Sequence, residues 1–309
     1  MKKAIITGAS GFIGKALTAH LLKEGYQVFA VVRNRKTLSE MFCSSLEIVE
    51  AELSDYTSLP EVISERQFDV FYHFAWDGTF GESFRDYRLQ LNNAVYAADA
   101  LLAAVKLNCK RFVLAGTIVE LEVKHYLLHD EGKPRISCIY GTAKCAAEMV
   151  CRTWAQQLNI EFNTAVLASV YGEGDYSHMI QNVLIHALQY GENLRLINGK
   201  VLQDWIYIDD AVLGLSAIVQ RGKRDKTYYV GHRDLQTFEK LVKQTRDIVA
   251  PGRHLNFGTI EDQTAIDYTL MNRNALFQDT GFECQSNFTE SIQKTAQWIK
   301  KLHEEGIWK

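Results

Sequence analysis

Short, nearly continuous apolar runs alternate along this chain with segments in which apolar residues return every third or fourth position. KAIIT at 3–7 runs into the glycine-rich GASGFIG at 8–14, after which Ile13, Leu17, Leu21 and Leu22 keep helical spacing as far as Gly25. These signals predict a strand, a tight turn, a helix and a helix stop. QVFAVV at 27–32 predicts a second buried strand and LEIVEAEL at 46–53 a third, with VFYHFAW at 70–76 and RFVLAGT at 111–117 to follow. Between the last two, Val95, Leu101, Leu102 and Val105 mark a long helix; another, at roughly 140–157, leads into FNTAVLASV at 162–170. Strands without polar alternation, separated by helices, belong in a parallel sheet covered on both faces. The fold class is therefore α/β, with a doubly wound parallel sheet over 1–168. Past 170 the pattern loosens into shorter elements, a turn at Pro251-Gly252 and a closing helix with Ile292, Ala296, Ile299 and Leu302 on one side. Residues 169–309 are expected to form mainly a smaller C-terminal domain, with part of 203–232 a candidate to return to the first.

At 309 residues and 47% apolar content the chain can bury a large core. A formal charge of -3 with scattered Lys and Arg leaves no basic stripe for a polyanion, so no nucleic-acid partner is expected. Gly8 interrupts the apolar run behind MKK far short of a signal-peptide core or a membrane span, which predicts a cytoplasmic protein without membrane association. Six cysteines without CxxC spacing fit free thiols in a reducing compartment. His125 and His129 stand four apart, as two ligands on one helical face would, but they lack a third ligand motif and lie in a polar stretch ending at Pro134. They are read as loop residues, and no metal is expected.

A strand-to-helix turn needs one or two glycines, whereas three at this spacing bare the backbone where a ligand would approach and where the helix packs on the strand. First-turn amides and the helix dipole favour an anion there, and a dinucleotide pyrophosphate fits. The spacing is GxxGxxG and not the general GxGxxG, which by itself leaves a purely structural turn open. The flanking strand and helix favour a Rossmann-type cofactor site. Where such sites carry a ribose-binding carboxylate about 20 residues on, this chain has VVRNRK, with Arg33 in the acid's place and Arg35 and Lys36 beside it. A guanidinium there suits a 2′-phosphate and predicts NADP in preference to NAD; a solvated charge run is the plainer alternative.

Of 14 tyrosines, only Tyr140 has a lysine four positions on, in YGTAK. On a helix the two share a face, so the Lys144 ammonium should favour phenolate and draw Tyr140 down from about 10 toward the range of a working acid or base. The preceding strand ends in AGT, leaving Thr117 at the carboxyl end of the sheet, where ligands of such sheets lie. GASGFIG, AGT, YGTAK, SVYGEGD and QDWIYIDDAV, in this order and with the late LFQDTGF, resemble the extended short-chain dehydrogenase/reductases. These are the NAD(P)-dependent epimerase/dehydratase family, which acts mostly on nucleotide sugars, and the likeness covers essentially the whole chain. The resemblance implies that Tyr140 is the acid/base, that Lys144 lowers its pKa and binds the nicotinamide ribose, and that Thr117 hydrogen-bonds the reacting oxygen. It also implies a substrate-binding C-terminal domain and a cofactor site of Gly8, Gly11, Phe12, Ile13 and Gly14. Arg33 joins that site on its own signal, Glu52 and Leu53 fall where the family touches adenine, and Phe74, Ala75 and Asn93 shape the cleft. Trp76 is either a cleft wall or a substrate contact.

The family's 4,6-dehydratases carry an Asp-Glu pair directly after the threonine; here Ile118 and Val119 follow, which disfavours dehydration. Glu120 is either a substrate contact or a surface carboxylate. Gln203 stands where many epimerases have an arginine that grips the substrate diphosphate, and the later Arg-x-Gly-Asp segment is missing; Arg195, Lys200 and Arg253 are candidate substitutes. The expected activity is hydride transfer at a carbinol or keto carbon of a nucleotide-linked sugar, as a 4-ketoreductase or an epimerase. A reductase of a smaller carbonyl compound and a non-catalytic cofactor sensor are the alternatives, and a homodimer is the expected assembly.

Overall fold

The computed structural model describes residues 1–79, 81–129, 132–261 and 266–308. The chain divides into two compact units, one of Met1–Leu167, Val212–Val230 and Ala265–Phe282, the other of Ala168–Ala211, Gly231–Thr264 and Glu283–Lys309. Through the first unit run β1 (Lys3–Thr7), α1 (Phe12–Lys23), β2 (Gln27–Val32), β3 (Leu46–Glu50), α2 (Leu59–Val62), β4 (Val70–His73), α3 (Tyr87–Lys106), β5 (Arg111–Thr117), α4 (Val119–Leu128), α5 (Cys138–Gln157) and β6 (Glu161–Leu167). β7 (Ser169–Tyr171), α6 (Ile180–Tyr190), β8 (Leu202–Gln203) and β9 (Trp205–Tyr207) open the second. From Val212 onward α7 (Ile208–Arg221) belongs to the first unit again, as does β10 (Lys226–Val230). β11 (Gln236–Thr237) and α8 (Phe238–Val249) belong to the second, α9 (Ala275–Thr280) to the first and α10 (Phe288–Glu304) to the second.

Seven strands form one sheet in the order β10-β6-β5-β4-β1-β2-β3. Every pairing in it is parallel. The register sets Phe29, Ile5, Phe71, Phe112 and Phe162 in one row across five strands. That row is buried with Ala97, Ala100, Leu101 and Ala104 of α3 and Ala147, Cys151 and Ala155 of α5. Small residues on the helices let them lie close against the aromatic row, and each apolar Å2 removed from water there contributes about 25 cal/mol. Gly8, Thr117 and the start of α1 consequently gather at the carboxyl ends of the central strands.

Three predicted strands end earlier than their apolar runs. LEIVEAEL shortens to β3 because Leu53–Ser58 forms a 3-10 turn that buries Tyr56. VFYHFAW stops pairing at His73, and Phe74 to Trp76 turn over the sheet's crest, Phe74 N bonding Thr7 O at 3.2 Å. FNTAVLASV splits, since β7 pairs with β9 in a separate two-stranded sheet. Ala265–Phe282 joins the first unit in addition to Val212–Val230, because Asp279 of α9 accepts from Lys226 Nζ at 2.6 Å and Tyr228 Oη at 2.8 Å on β10. Among the described residues no helix is long and apolar enough to cross a membrane.

Candidate active site

Two of the three glycines in GASGFIG are demanded by packing. Gly8 has φ +70°, and a Cβ there would lie 2.7 Å from the backbone nitrogen of Ala75. At Gly14 a Cβ would meet Gly8 O at 2.2 Å, so α1 rests directly on the turn. Gly11 differs: its nearest obstacle is Gly8 O at 3.3 Å, and the fold alone does not require a glycine. Its bare backbone leaves the first-turn amides of Phe12 and Ile13 open at the N-terminus of α1, where no acidic side chain stands. That cradle fits an anionic pyrophosphate.

Beside it, Thr7 Oγ1 and His73 Nδ1 bond at 2.9 Å. Burial, with Lys144 adding to it, pulls the His73 imidazole down to about 3, so it is a neutral core group. Buried Asn93 holds the crest after β4, accepting from Asp77 N at 2.9 Å and donating to Asp77 O at 2.9 Å. Trp76 Nε1 donates to Gln90 Oε1 at 2.8 Å, which fixes the indole. Arg33 lies exposed past the end of β2, its Nη1 3.4 Å from Asp77 Oδ1. Glu52 is exposed, whereas Leu53 packs against the core.

Thr117 ends β5, and Tyr140, in the first turn of α5, has the threonine side chain as a neighbour. The Tyr140 ring stacks on Phe84 at 4.7 Å between centroids and meets Trp76 edge-on at 5.9 Å. Lys144, one turn along, donates from Nζ to Ala115 O at 2.9 Å and sits 3.8 Å over the Trp76 ring. Its ammonium is 5.8 Å from the Tyr140 ring centroid. Burial and the Glu120 carboxylate push the phenol above its ordinary range, and the neighbouring Thr117 side chain opposes them. Burial also pulls Lys144 down against the attraction of Glu120. The expected lowering of Tyr140 by Lys144 is therefore corrected: desolvation dominates both groups, and the lysine's hydrogen bond goes to the β5 backbone.

Glu120 is corrected as well. It has no exposed surface, and its Oε1 accepts from Thr117 N at 2.8 Å. A Cβ on Gly116 would lie 2.8 Å from that oxygen, so the glycine of AGT makes room for the carboxylate. Burial and nearby Glu148 raise the Glu120 carboxyl, while Lys124, the Thr117 amide and Lys144 hold it down. This is a support beneath the threonine and not a surface for substrate.

The remaining substrate candidates lie in the second unit. Gln203 Oε1 accepts from Trp205 Nε1 at 2.8 Å, Arg195 is exposed with Nη2 3.3 Å from Thr259 O, and Arg253 donates to the carbonyls of Leu188 and Glu192 at the end of α6. Sequence reasoning passed over Thr7, Phe84 and Asp77. Thr7, last in the first strand, was the one with a positional signal; Asp77 sits in a loop and Phe84 in a short 3-10 turn, Gly81–Arg85, neither with a periodic pattern.

Residues 4–231 match the model of the NAD dependent epimerase/dehydratase family. The chain belongs to that family. Across 96% of this epimerase/dehydratase-family chain and 92% of the relative, it is 21% identical to dTDP-glucose 4,6-dehydratase 1 of Escherichia coli K12. Among solved structures, UDP-glucose 4-epimerase of Thermotoga maritima with UDP-glucose superposes with a TM-score of 0.77 at 18% identity, covering 97% of this chain and 99% of the other. UDP-glucuronic acid 4-epimerase of Bacillus cereus in complex with NAD gives the same score, identity and coverage. At such identities the likeness establishes the extended short-chain dehydrogenase/reductase fold.

Proposed function

We propose that this family member transfers hydride at a carbinol or keto carbon of a nucleotide-linked sugar, as a 4-ketoreductase or an epimerase. One observation carries this reading: the side chains of Thr117, at the end of β5, and Tyr140, in the first turn of α5, are neighbours, while the two positions after Thr117 hold apolar Ile118 and Val119. The nearest carboxylate along the chain, Glu120, is buried behind the threonine. Water elimination needs a second acid/base at the sugar, and the two positions after Thr117 supply none.

The GASGFIG turn would hold the cofactor's pyrophosphate, and Arg33, together with the lack of an acid at its position, supports a preference for NADP over NAD. When bound, that cofactor supplies or accepts the hydride. Thr117 orients the reacting oxygen, Tyr140 gives or takes its proton, and Lys144, held against Trp76 and Ala115 O, would bind the nicotinamide ribose. Trp76 and Phe84 wall the phenol from water. The homodimer belongs to the same proposal, with α3 and α5 as its face.

A second reading, reduction of a smaller carbonyl compound without a nucleotide, is favoured by Gln203 and by Arg253, whose guanidinium is bound to backbone carbonyls. The deciding assay incubates the protein with NADPH or NADH and a panel of 4-keto sugar nucleotides, intact sugar nucleotides and simple ketones. The proposal expects turnover of sugar nucleotides and its loss in Tyr140→Phe. Turnover indifferent to the phenol removes the mechanism, turnover of simple ketones alone favours the second reading, and cofactor binding without turnover favours a sensor.

A further inference from the structure

His125 and His129, four apart in the sequence, acquire a third neighbour from far along the chain. His125 lies in the last turn of α4 and His129 caps that helix. Asp267 comes from the Ala265–Phe282 segment, which belongs to the same unit. One ligand atom from each of the three lies within 4.8 Å of the others. The two imidazole rings are 4.8 Å apart between centroids and tilted by 47°. His125 Nδ1 is buried without a hydrogen-bond partner among the described residues. Asp267 Oδ2 is 3.8 Å from it, beyond hydrogen-bond reach. Two ligands of a tetrahedral zinc ion, each about 2.0–2.1 Å from the metal, stand about 3.3 Å apart, so about half an ångström of closure would bring this pair onto one ion.

The carboxylate is also steered. Asp267 Oδ1 accepts from Thr269 N at 2.9 Å and Thr269 Oγ1 at 2.6 Å, leaving Oδ2 for the histidines. Hydrogen bonds of this kind orient the ligands of metal sites. An unpartnered imidazole nitrogen, a second imidazole one turn on and an oriented carboxylate are a donor set for a borderline divalent ion. We propose that His125, His129 and Asp267 bind such an ion, of the zinc class, with a fourth position left to water. The ion tethers the far end of α4, whose first turn carries Glu120 and so the support of Thr117.

The test is equilibrium dialysis of the full-length, chelator-stripped protein against Zn2+, with metal content measured after gel filtration, and Co2+ as a spectroscopic probe. The expected result is one retained equivalent, intense visible bands with Co2+, and a loss of affinity of at least about tenfold in His129→Gln and Asp267→Asn. His129 is exposed, so its replacement leaves the fold intact, which circular dichroism checks. A retained equivalent that survives these substitutions but disappears in His186→Gln would assign the ion to the histidine pair His186–His303 of the second unit and overturn the proposal. No retained equivalent, or a Co2+ spectrum of the hydrated ion, overturns it as well.

Discussion

One helical turn after Thr117, a carboxylate without exposed surface holds the threonine's amide and sits against the space left by Gly116. Its charge raises both Tyr140 and Lys144. Glu120→Gln keeps an acceptor for the amide and removes the charge, so the phenol becomes more acidic. The limb of the kcat–pH profile that reports Tyr140 is expected to move to lower pH, with KM little changed. Glu120→Ala leaves the Thr117 amide unpaired in a buried place, which costs about 1–3 kcal/mol of stability, measurable by urea unfolding. Further along the crevice, Arg33→Ala is expected to weaken NADP(H) about tenfold or more, as loss of a charged hydrogen bond does, and to leave NAD(H) nearly unchanged in a fluorescence titration. Equal losses for both cofactors would assign Arg33 to its ion pair with Asp77 instead.

At the level of elements, α9 is fastened to β10 by Asp279, whose carboxyl is held far below the usual range by Lys223, then Lys226, with Tyr228 adding a bond. A depressed carboxyl contributes stability that is complete above its unfolded pKa of about 3.9 and fades as pH falls through the folded value. Asp279→Asn should therefore shrink the difference in melting temperature between neutral and strongly acidic buffer, and an unchanged difference would assign the acid sensitivity to other carboxylates. Strands such as β1, β2 and β5 were legible because burial on both faces writes them as unbroken apolar runs. α4 was not, because two of its buried positions are acids: Glu120 is satisfied by the Thr117 amide, and Glu122 by a two-pronged bond from Arg135. Partners of that kind leave no trace in a hydrophobic pattern. Thr117 and Tyr140 could be named from a strand end and a four-residue spacing, whereas Phe84 stacked on the phenol, and Asp267 beside the histidines, arise from chain segments with no local signature.

On the scale of the molecule, α3 and α5 present Leu91, Val95, Met149, Val150 and Trp154 to solvent although both helices belong to the core on their other side. The spacing of Leu91 to Val95 and of Val150 to Trp154 makes two stripes, and an exposed apolar patch of this sort marks an association surface. Trp154→Glu is expected to convert a dimer to a monomer in sedimentation velocity while circular dichroism stays unchanged. The order of the chain imposes something else. The sheet's last strand, β10, lies after a whole stretch of the second unit, and the helix fastened to it comes later still. During synthesis the edge of β6 thus stays without its neighbour until most of the polypeptide has emerged. A nascent chain stopped at residue 167 presents an open, apolar strand edge, the feature that recruits chaperones or other unpaired strands.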